Sequence, residues 1–301
     1  MDVQGLHGVH VALATPIDPG TGHLDPAGLE RLVDRVVGGG IDAICPTGST
    51  GEGPRLTRAQ RLTILQTVRE RVGPDRVVLP GASSLNLPDA IAEVNDLAAA
   101  GASAVLLAPP AYYPQAPAEV VAWYRTVTEH TDCPLVLYNI PVFTKISIAP
   151  AAVAELAALP GVIGIKDSSR DLEYLQLVLH ATADADFAVL TGSDTLLLAS
   201  LVLGADGMIA AGMNLVPDLG RIVFDAVKAG DLGTAEGTQR LLSTIVQACR
   251  AGQPPAGWKA ALAWAGICSD ALVPPAAPLT DEARATLAAA LDSLLPRPIR
   301  A

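Results

Sequence analysis

Short apolar runs rich in β-branched residues alternate along the chain with stretches whose apolar residues recur every three and four positions. Eight runs stand out: VHVALATPI (9–17), IDAICPTG (41–48), RVVLPGAS (76–83), AVLLAPP (104–110), PLVLYNIP (134–141), VIGIKDSS (162–169), FAVLTGSD (187–194) and GMIAAGMN (207–214). They read as buried strands. Segments such as LERLVDRVV, AQRLTILQTVRERV, DAIAEVNDLAAAG and DLEYLQLVLHATA read as amphipathic helices between them. Capping residues support the division. Asp25 followed by Pro26 predicts a helix start, Thr57 with Gln60 predicts a capping box, and Gly38, Gly101 and Gly204 fall where helices should stop.

A strand followed by a helix, repeating about every 30 residues, predicts βαβ units and a parallel sheet. Eight units predict an α/β fold of the (β/α)8 (TIM) barrel type. A doubly wound open sheet is the structural rival, but it normally has fewer strands, and its GxGxxG fingerprint is absent. Beyond about residue 226 the strand signal ends, and three helical patterns follow. The expected organisation is a catalytic barrel over 1–225 and a C-terminal three-helix domain over 226–301.

Composition narrows the function. Of the 301 residues, 50% are hydrophobic and 17% charged, enough to bury a large core and too few charges for disorder. The net charge of −11 argues against nucleic acid as a partner. The most apolar run, 196–205, is too short to span a bilayer, and the N-terminus lacks a basic stretch followed by an apolar one. A cytoplasmic location without a membrane partner is expected. The four cysteines (Cys45, Cys133, Cys249, Cys268) lie far apart and read as buried reduced thiols. The five histidines form no HxH or HExxH pattern, so no metal is expected, and no GxSxG elbow is present.

In a (β/α)8 barrel, reactive groups sit at the C-terminal ends of strands. Those ends read GSTGE (48–52), PPAYYP (109–114), YNIP (138–141), KDSS (166–169) and GSD (192–194). Of four lysines, only Lys166 continues an apolar strand. By period two it should share a face with Gly164 and Val162, with Ile163 and Ile165 turned away. Burial disfavours the charged ammonium, and a neutral amine can form a Schiff base with a carbonyl. The alternative is a snorkelling lysine, paired with Asp167. Tyr138 could pass a proton beside the amine, or be a core tyrosine with a satisfied hydroxyl. The GSTGE turn could hold a carboxylate or phosphate through its amides and the hydroxyls of Ser49 and Thr50, or be an ordinary glycine turn. Tyr112 and Tyr113 could be packing or interface residues.

Taken together and in order, these motifs resemble the dihydrodipicolinate synthase/N-acetylneuraminate lyase superfamily of pyruvate-handling class I aldolases. The match runs from VALATPID through GSTGE, PPAYYP, YNIP, GIKDSS and GSD to GADGMIAAGMNLVP. The resemblance implies that Lys166 forms the Schiff base with pyruvate or another 2-oxo acid. It implies a carboxylate clamp at Ser49 and Thr50, proton transfer by Tyr138, and a link through Ser49 to Tyr112 of a neighbouring subunit. Ile209 resembles a position whose backbone carbonyl faces the site. Gly192, Asp194 and Thr195 belong to the substrate end of the seventh strand. No cofactor is implied, and a homotetramer built as a dimer of dimers is expected.

Departures from the family pattern point to a branch. Phe143 stands where the lysine-pathway synthases carry a carboxylate-binding arginine, so aspartate semialdehyde is not the expected acceptor. GSTGE and Ser168 look more like the sialic acid lyase and 2-keto-3-deoxy sugar acid aldolase branches. Thr195 and Ala211 replace the acidic residue and the serine of the sialic acid lyase pattern. Arg170 stands where related branches usually have glycine. The expected activity is reversible cleavage of a 2-keto-3-deoxy sugar acid, or similar 2-oxo acid, to pyruvate and a neutral polyhydroxylated aldehyde. The alternatives are 4-hydroxy-tetrahydrodipicolinate synthase, a related 2-oxo acid dehydratase, and a non-catalytic 2-oxo-acid-binding protein.

Overall fold

The computed structural model describes residues 3–296. The ends of the two expected segments, 1–2 and 297–301, lie outside the described residues. Nine strand segments form one parallel sheet: β1 (Gly8–Ala12), β2 (Ala43–Cys45), β3 (Val77–Val78), β4 (Gly81–Ala82), β5 (Val105–Leu107), β6 (Leu135–Asn139), β7 (Val162–Asp167), β8 (Ala188–Thr191) and β9 (Gly207–Ala210). Their order is β3-β2-β1-β9-β8-β7-β6-β5-β4. The two ends of that order are neighbours in sequence, separated by Leu79 and Pro80. Leu79 N–H donates to Ile44 on one side, and Leu106 N–H donates to the Pro80 carbonyl on the other. The sheet therefore curls until its ends meet in one stretch of chain. Eight apolar runs thus yield nine segments, because the third is interrupted.

Helices follow the strands: α1 (Pro26–Gly38), α2 (Arg58–Val72), α3 (Leu87–Ala99), α4 (Pro117–Thr128), α5 (Pro141–Thr144), α6 (Pro150–Ala157), α7 (Leu172–Ala181), α8 (Leu197–Leu203) and α9 (Pro217–Lys228). Their starts are encoded locally. Asp25 accepts from the Gly28 N–H at 2.9 Å with Pro26 in the first turn, and Thr57 and Gln60 form the capping box. Gly101 and Gly204 take positive φ angles just past α3 and α8.

The apolar residues separate into two layers. Leu6, Ala12, Cys45, Leu106, Val136, Leu190 and Ile209 pack together inside the curl. A larger cluster lies between the strands and the helices and continues into the C-terminal helices through Leu242, Ile245, Leu262, Leu287 and Leu291. Those helices are α10 (Leu232–Ala248), α11 (Ala256–Trp264) and α12 (Asp281–Leu294). The boundary drawn between 225 and 226 falls within α9. All four cysteines are buried and unpaired with one another. Among the described residues no helix is long and apolar enough to cross a membrane.

One face assignment changes at β7. The pairing with β6 slips, so that Leu135 faces Val162 while Val136 faces Gly164. This bulge places two residues opposite one step of the partner strand and breaks the alternation. Val162 consequently joins the outer cluster and Ile163 packs against the inner one. The expected facing is thus reversed for these two residues. Ile165 packs in the outer cluster, as expected.

Candidate active site

Tyr138 and Lys166 are register partners on β6 and β7. Both side chains are buried, and the lysine Nζ donates to the tyrosine hydroxyl at 3.2 Å. The same Nζ stands 4.3 Å from the centre of the tyrosine ring. The Tyr138 hydroxyl is also 3.2 Å from the Ser49 hydroxyl. An amine, a phenol and an alcohol therefore form one chain drawn from three strand ends. Asp167 is not the lysine's partner. Its carboxylate accepts from Asn139 at 2.7 Å and from the Ser169 backbone and hydroxyl, on the other side of the strand. Burial pushes the Asp167 carboxyl above the ordinary carboxylate range.

The GSTGE turn is held from several directions. Thr15 donates to the Gly51 carbonyl at 2.6 Å, and Thr47 donates to the Gly81 carbonyl at 3.0 Å. Glu52 adopts a left-handed φ of 57° and buries its carboxylate. One oxygen accepts from Arg55 at 3.0 Å and from the Val273 N–H at 3.1 Å. The other faces Lys259 of α11 at 3.9 Å, and that lysine also donates to the Thr15 carbonyl. Burial raises the Glu52 carboxyl and lowers the Lys259 ammonium from their ordinary values.

A cavity of about 400 Å³ opens over the lysine, within the usual size of small-molecule sites. Its lining includes Ser49, Thr50, Tyr138, Phe143, Lys166, Ser168, Gly192, Asp194 and Ile209. Gly192 leaves room for the side chains around it. A Cβ at this position would lie 2.0 Å from the Ser168 hydroxyl and 3.1 Å from the lysine Cε. Asp194 is buried, and its Oδ1 accepts from the Gly212 N–H at 2.9 Å. Burial pushes its carboxyl up to about 6. Thr195 is not part of the lining, but its hydroxyl lies 3.3 Å from that of Ser193 and accepts from Arg250 at 3.3 Å.

The chain matches the dihydrodipicolinate synthetase family over residues 5–294. The chain belongs to this family. It is 35% identical over 271 residues to 4-hydroxy-tetrahydrodipicolinate synthase of Stenotrophomonas maltophilia, covering 90% of this chain and 91% of the relative. Dihydrodipicolinate synthase from Bacillus anthracis superposes with a TM-score of 0.92 at 28% identity, covering 97% of this chain and 99% of that one. A prophage protein of the same family from Escherichia coli K12, solved in complex with pyruvate, superposes with a TM-score of 0.91 at 29% identity, over 96% and 98% of the two chains. Membership in the dihydrodipicolinate synthetase family makes this chain an enzyme of the aldolase/lyase kind.

Tyr112 lies away from the cavity in the single chain, 77% exposed, with its ring edge-on to Tyr113. Arg250, just beyond α10, and Trp258 of α11 line the cavity, yet neither follows a strand. No local pattern marks them. A second recess of about 330 Å³ adjoins across Tyr138 and Phe143, and it uses Ser83 and Leu85 from the loop after β4.

Proposed function

We propose that the enzyme is a Schiff-base-forming class I aldolase that reversibly cleaves a 2-keto-3-deoxy sugar acid, or a similar 2-oxo acid, to pyruvate and an aldehyde. The observation that carries this reading is the buried Lys166 amine bonded to the Tyr138 phenol inside a cavity. The amine adds to the keto carbon, and the carbinolamine loses water to give a protonated imine. As the C3–C4 bond breaks, its electron pair moves toward the imine nitrogen, the C4 hydroxyl loses its proton and the aldehyde departs. The enamine takes a proton at C3, and water releases pyruvate. Tyr138 carries protons at the carbinolamine, with its hydroxyl oriented by Ser49. The hydroxyl of Thr50 and the amides of Ser49 and Thr50 receive the substrate carboxylate. Ser168, Asp194 and the Ile209 carbonyl meet polar groups further along the substrate. The pyruvate complex of the related prophage protein supports pyruvate as the common product. The working form is a homotetramer, a dimer of dimers, in which Tyr112 reaches the neighbouring subunit.

A second reading is condensation of pyruvate with aspartate semialdehyde, favoured by the activity named for the Stenotrophomonas relative. Phe143, half exposed in the cavity wall, speaks against it. Borohydride reduction in the presence of pyruvate tests the shared chemistry. One reduced pyruvyl group is expected on Lys166, found by mass spectrometry of the digest. Labelling that persists in Lys166→Ala, or never forms in the wild type, overturns the proposal. Comparing kcat/KM for aspartate semialdehyde and for hydroxyaldehydes then separates the two readings.

A further inference from the structure

The cavity over Lys166 is cationic although the chain as a whole carries a net charge of −11. Its charged lining residues are Lys166, Arg170, Asp194 and Arg250. The lysine and the aspartate are buried, while both arginines are exposed to solvent, which places these two residues where the cavity opens. Among the described residues, neither guanidinium forms an ion pair with a carboxylate. Arg250 makes one side-chain hydrogen bond, from Nη2 to the Thr195 hydroxyl. The adjacent Asp171 is committed elsewhere, capping α7 through the Glu173 and Tyr174 N–H groups. Asp194 is committed to Gly212.

The two cations also act on one another. The Arg250 guanidinium is held below its ordinary value by partial burial and then by the charge of Arg170, against a smaller pull from Asp194. Arg170 moreover adopts a φ of 64°, in the left-handed region that favours glycine. Unpaired like charges brought together at the rim of a cavity await an anion, and such a rim concentrates one from solution.

We propose that Arg170 and Arg250 form an anion subsite at the mouth of the Lys166 cavity, and that the substrate's end remote from the keto group carries a carboxylate or a phosphate. The inference rests on the Schiff-base reading for the identity of the near end. It replaces the neutral aldehyde expected from Phe143 alone. That position is apolar, but the guanidinium groups arrive from two other places, the loop after β7 and the end of α10.

The test is calorimetric titration of the full-length wild type, Arg170→Gly and Arg250→Gln with glutarate and with glycerol 3-phosphate. Glycine suits the backbone at 170, so that variant folds without strain. At least one of the two anions should bind the wild type, and bind each variant at least tenfold more weakly. The tighter of the two identifies the terminal group. Equal affinity in the variants, or no binding of either anion to the wild type, overturns the proposal. Condensation assays follow, pairing pyruvate with 4-oxobutanoate against butanal and with glyceraldehyde 3-phosphate against glyceraldehyde. The wild type should favour the anionic member of at least one pair by tenfold or more in kcat/KM, and preference for both neutral members sinks the idea. Borohydride trapping in the wild type reads the imine separately. If it fails, the Schiff-base reading falls, and the calorimetry still decides the anion subsite.

Discussion

Lys166 and Tyr138 occupy directly paired positions on neighbouring strands, and this pairing holds the amine 3.2 Å from the phenol oxygen. The relation between nucleophile and proton carrier is therefore fixed by the backbone ladder, with little left to side-chain freedom. The amine also stands over the tyrosine ring at 4.3 Å. Hydrogen bond and ring face together orient the lysine before substrate enters, which lowers the ordering needed for attack.

Tyr138→Phe should keep the ring, the packing and the stacked amine while deleting the proton carrier. Turnover should fall by about 10²–10⁴-fold, the usual size of an acid–base contribution. Slow imine formation with pyruvate should survive and be visible by borohydride trapping. Ser49→Ala acts one hydrogen bond further away and should have a smaller effect. Steady-state kinetics check both, and turnover of Tyr138→Phe within twofold of wild type would mean the proton takes another route.

The lysine and tyrosine could be read from sequence because each ends an apolar run, and charged or phenolic groups are uncommon there. The facing of Val162 and Ile163 could not, because the bulge belongs to the pairing of two strands. The other cations that bear on the site, Arg250 in the cavity lining and Lys259 behind the GSTGE turn, were hidden for a different reason. Arg250 meets Thr195 across 55 residues, and Lys259 meets Thr15 across 244. Helical periodicity marks which face of a helix is apolar, but not which strand end a terminal side chain will reach. Arg170 was visible as an odd residue after KDSS, but its meaning depends on Arg250 beside it.

Tyr112 and Tyr113 are 77% and 69% exposed on the loop after β5. Two aromatic rings held in solvent next to the second recess are expected to be covered in a homotetramer. Sedimentation at micromolar concentration should give a tetramer. Tyr112→Ala should lower activity and weaken the association, whereas a monomer with full activity contradicts the arrangement.

Asp194 makes stability depend on pH. Burial raises its carboxyl from the ordinary 3.8 to about 6, so the folded chain binds the proton more tightly than the unfolded one. The contribution of this group is most favourable below about pH 3.8 and is lost as pH rises toward and through 6. The loss is on the order of 2–3 kcal/mol. Asp194→Asn keeps an acceptor for the Gly212 N–H and removes the titration. Urea denaturation should show the variant more stable than wild type at pH 7.5 and equal to it near pH 4. A constant difference across that range would place the effect elsewhere than in the carboxyl.

A C-terminal helix reaches the turn proposed to hold the substrate carboxylate. Lys259 is fully buried on α11, with its amine directed at the Thr15 carbonyl and the Glu52 carboxylate. Glu52 ends the GSTGE turn whose Ser49 bonds Tyr138, so one lysine connects α11 to the loop proposed to hold the substrate carboxylate. A buried ion pair adds little net stability, but removing one member leaves the other uncompensated, at about 3–5 kcal/mol. Arg55 and the Val273 N–H remain on Glu52 and soften the loss. Lys259→Met should therefore lower stability by the smaller end of that range. It should also raise KM for the 2-oxo acid more than it lowers kcat, because the turn loosens while Lys166 and Tyr138 stay paired through their strands. A double replacement, Lys259→Met with Glu52→Gln, removes both charges and should recover part of the stability. Urea denaturation and steady-state kinetics on the same preparations provide the check. A Lys259→Met enzyme with wild-type stability and KM would show that α11 does not hold the clamp.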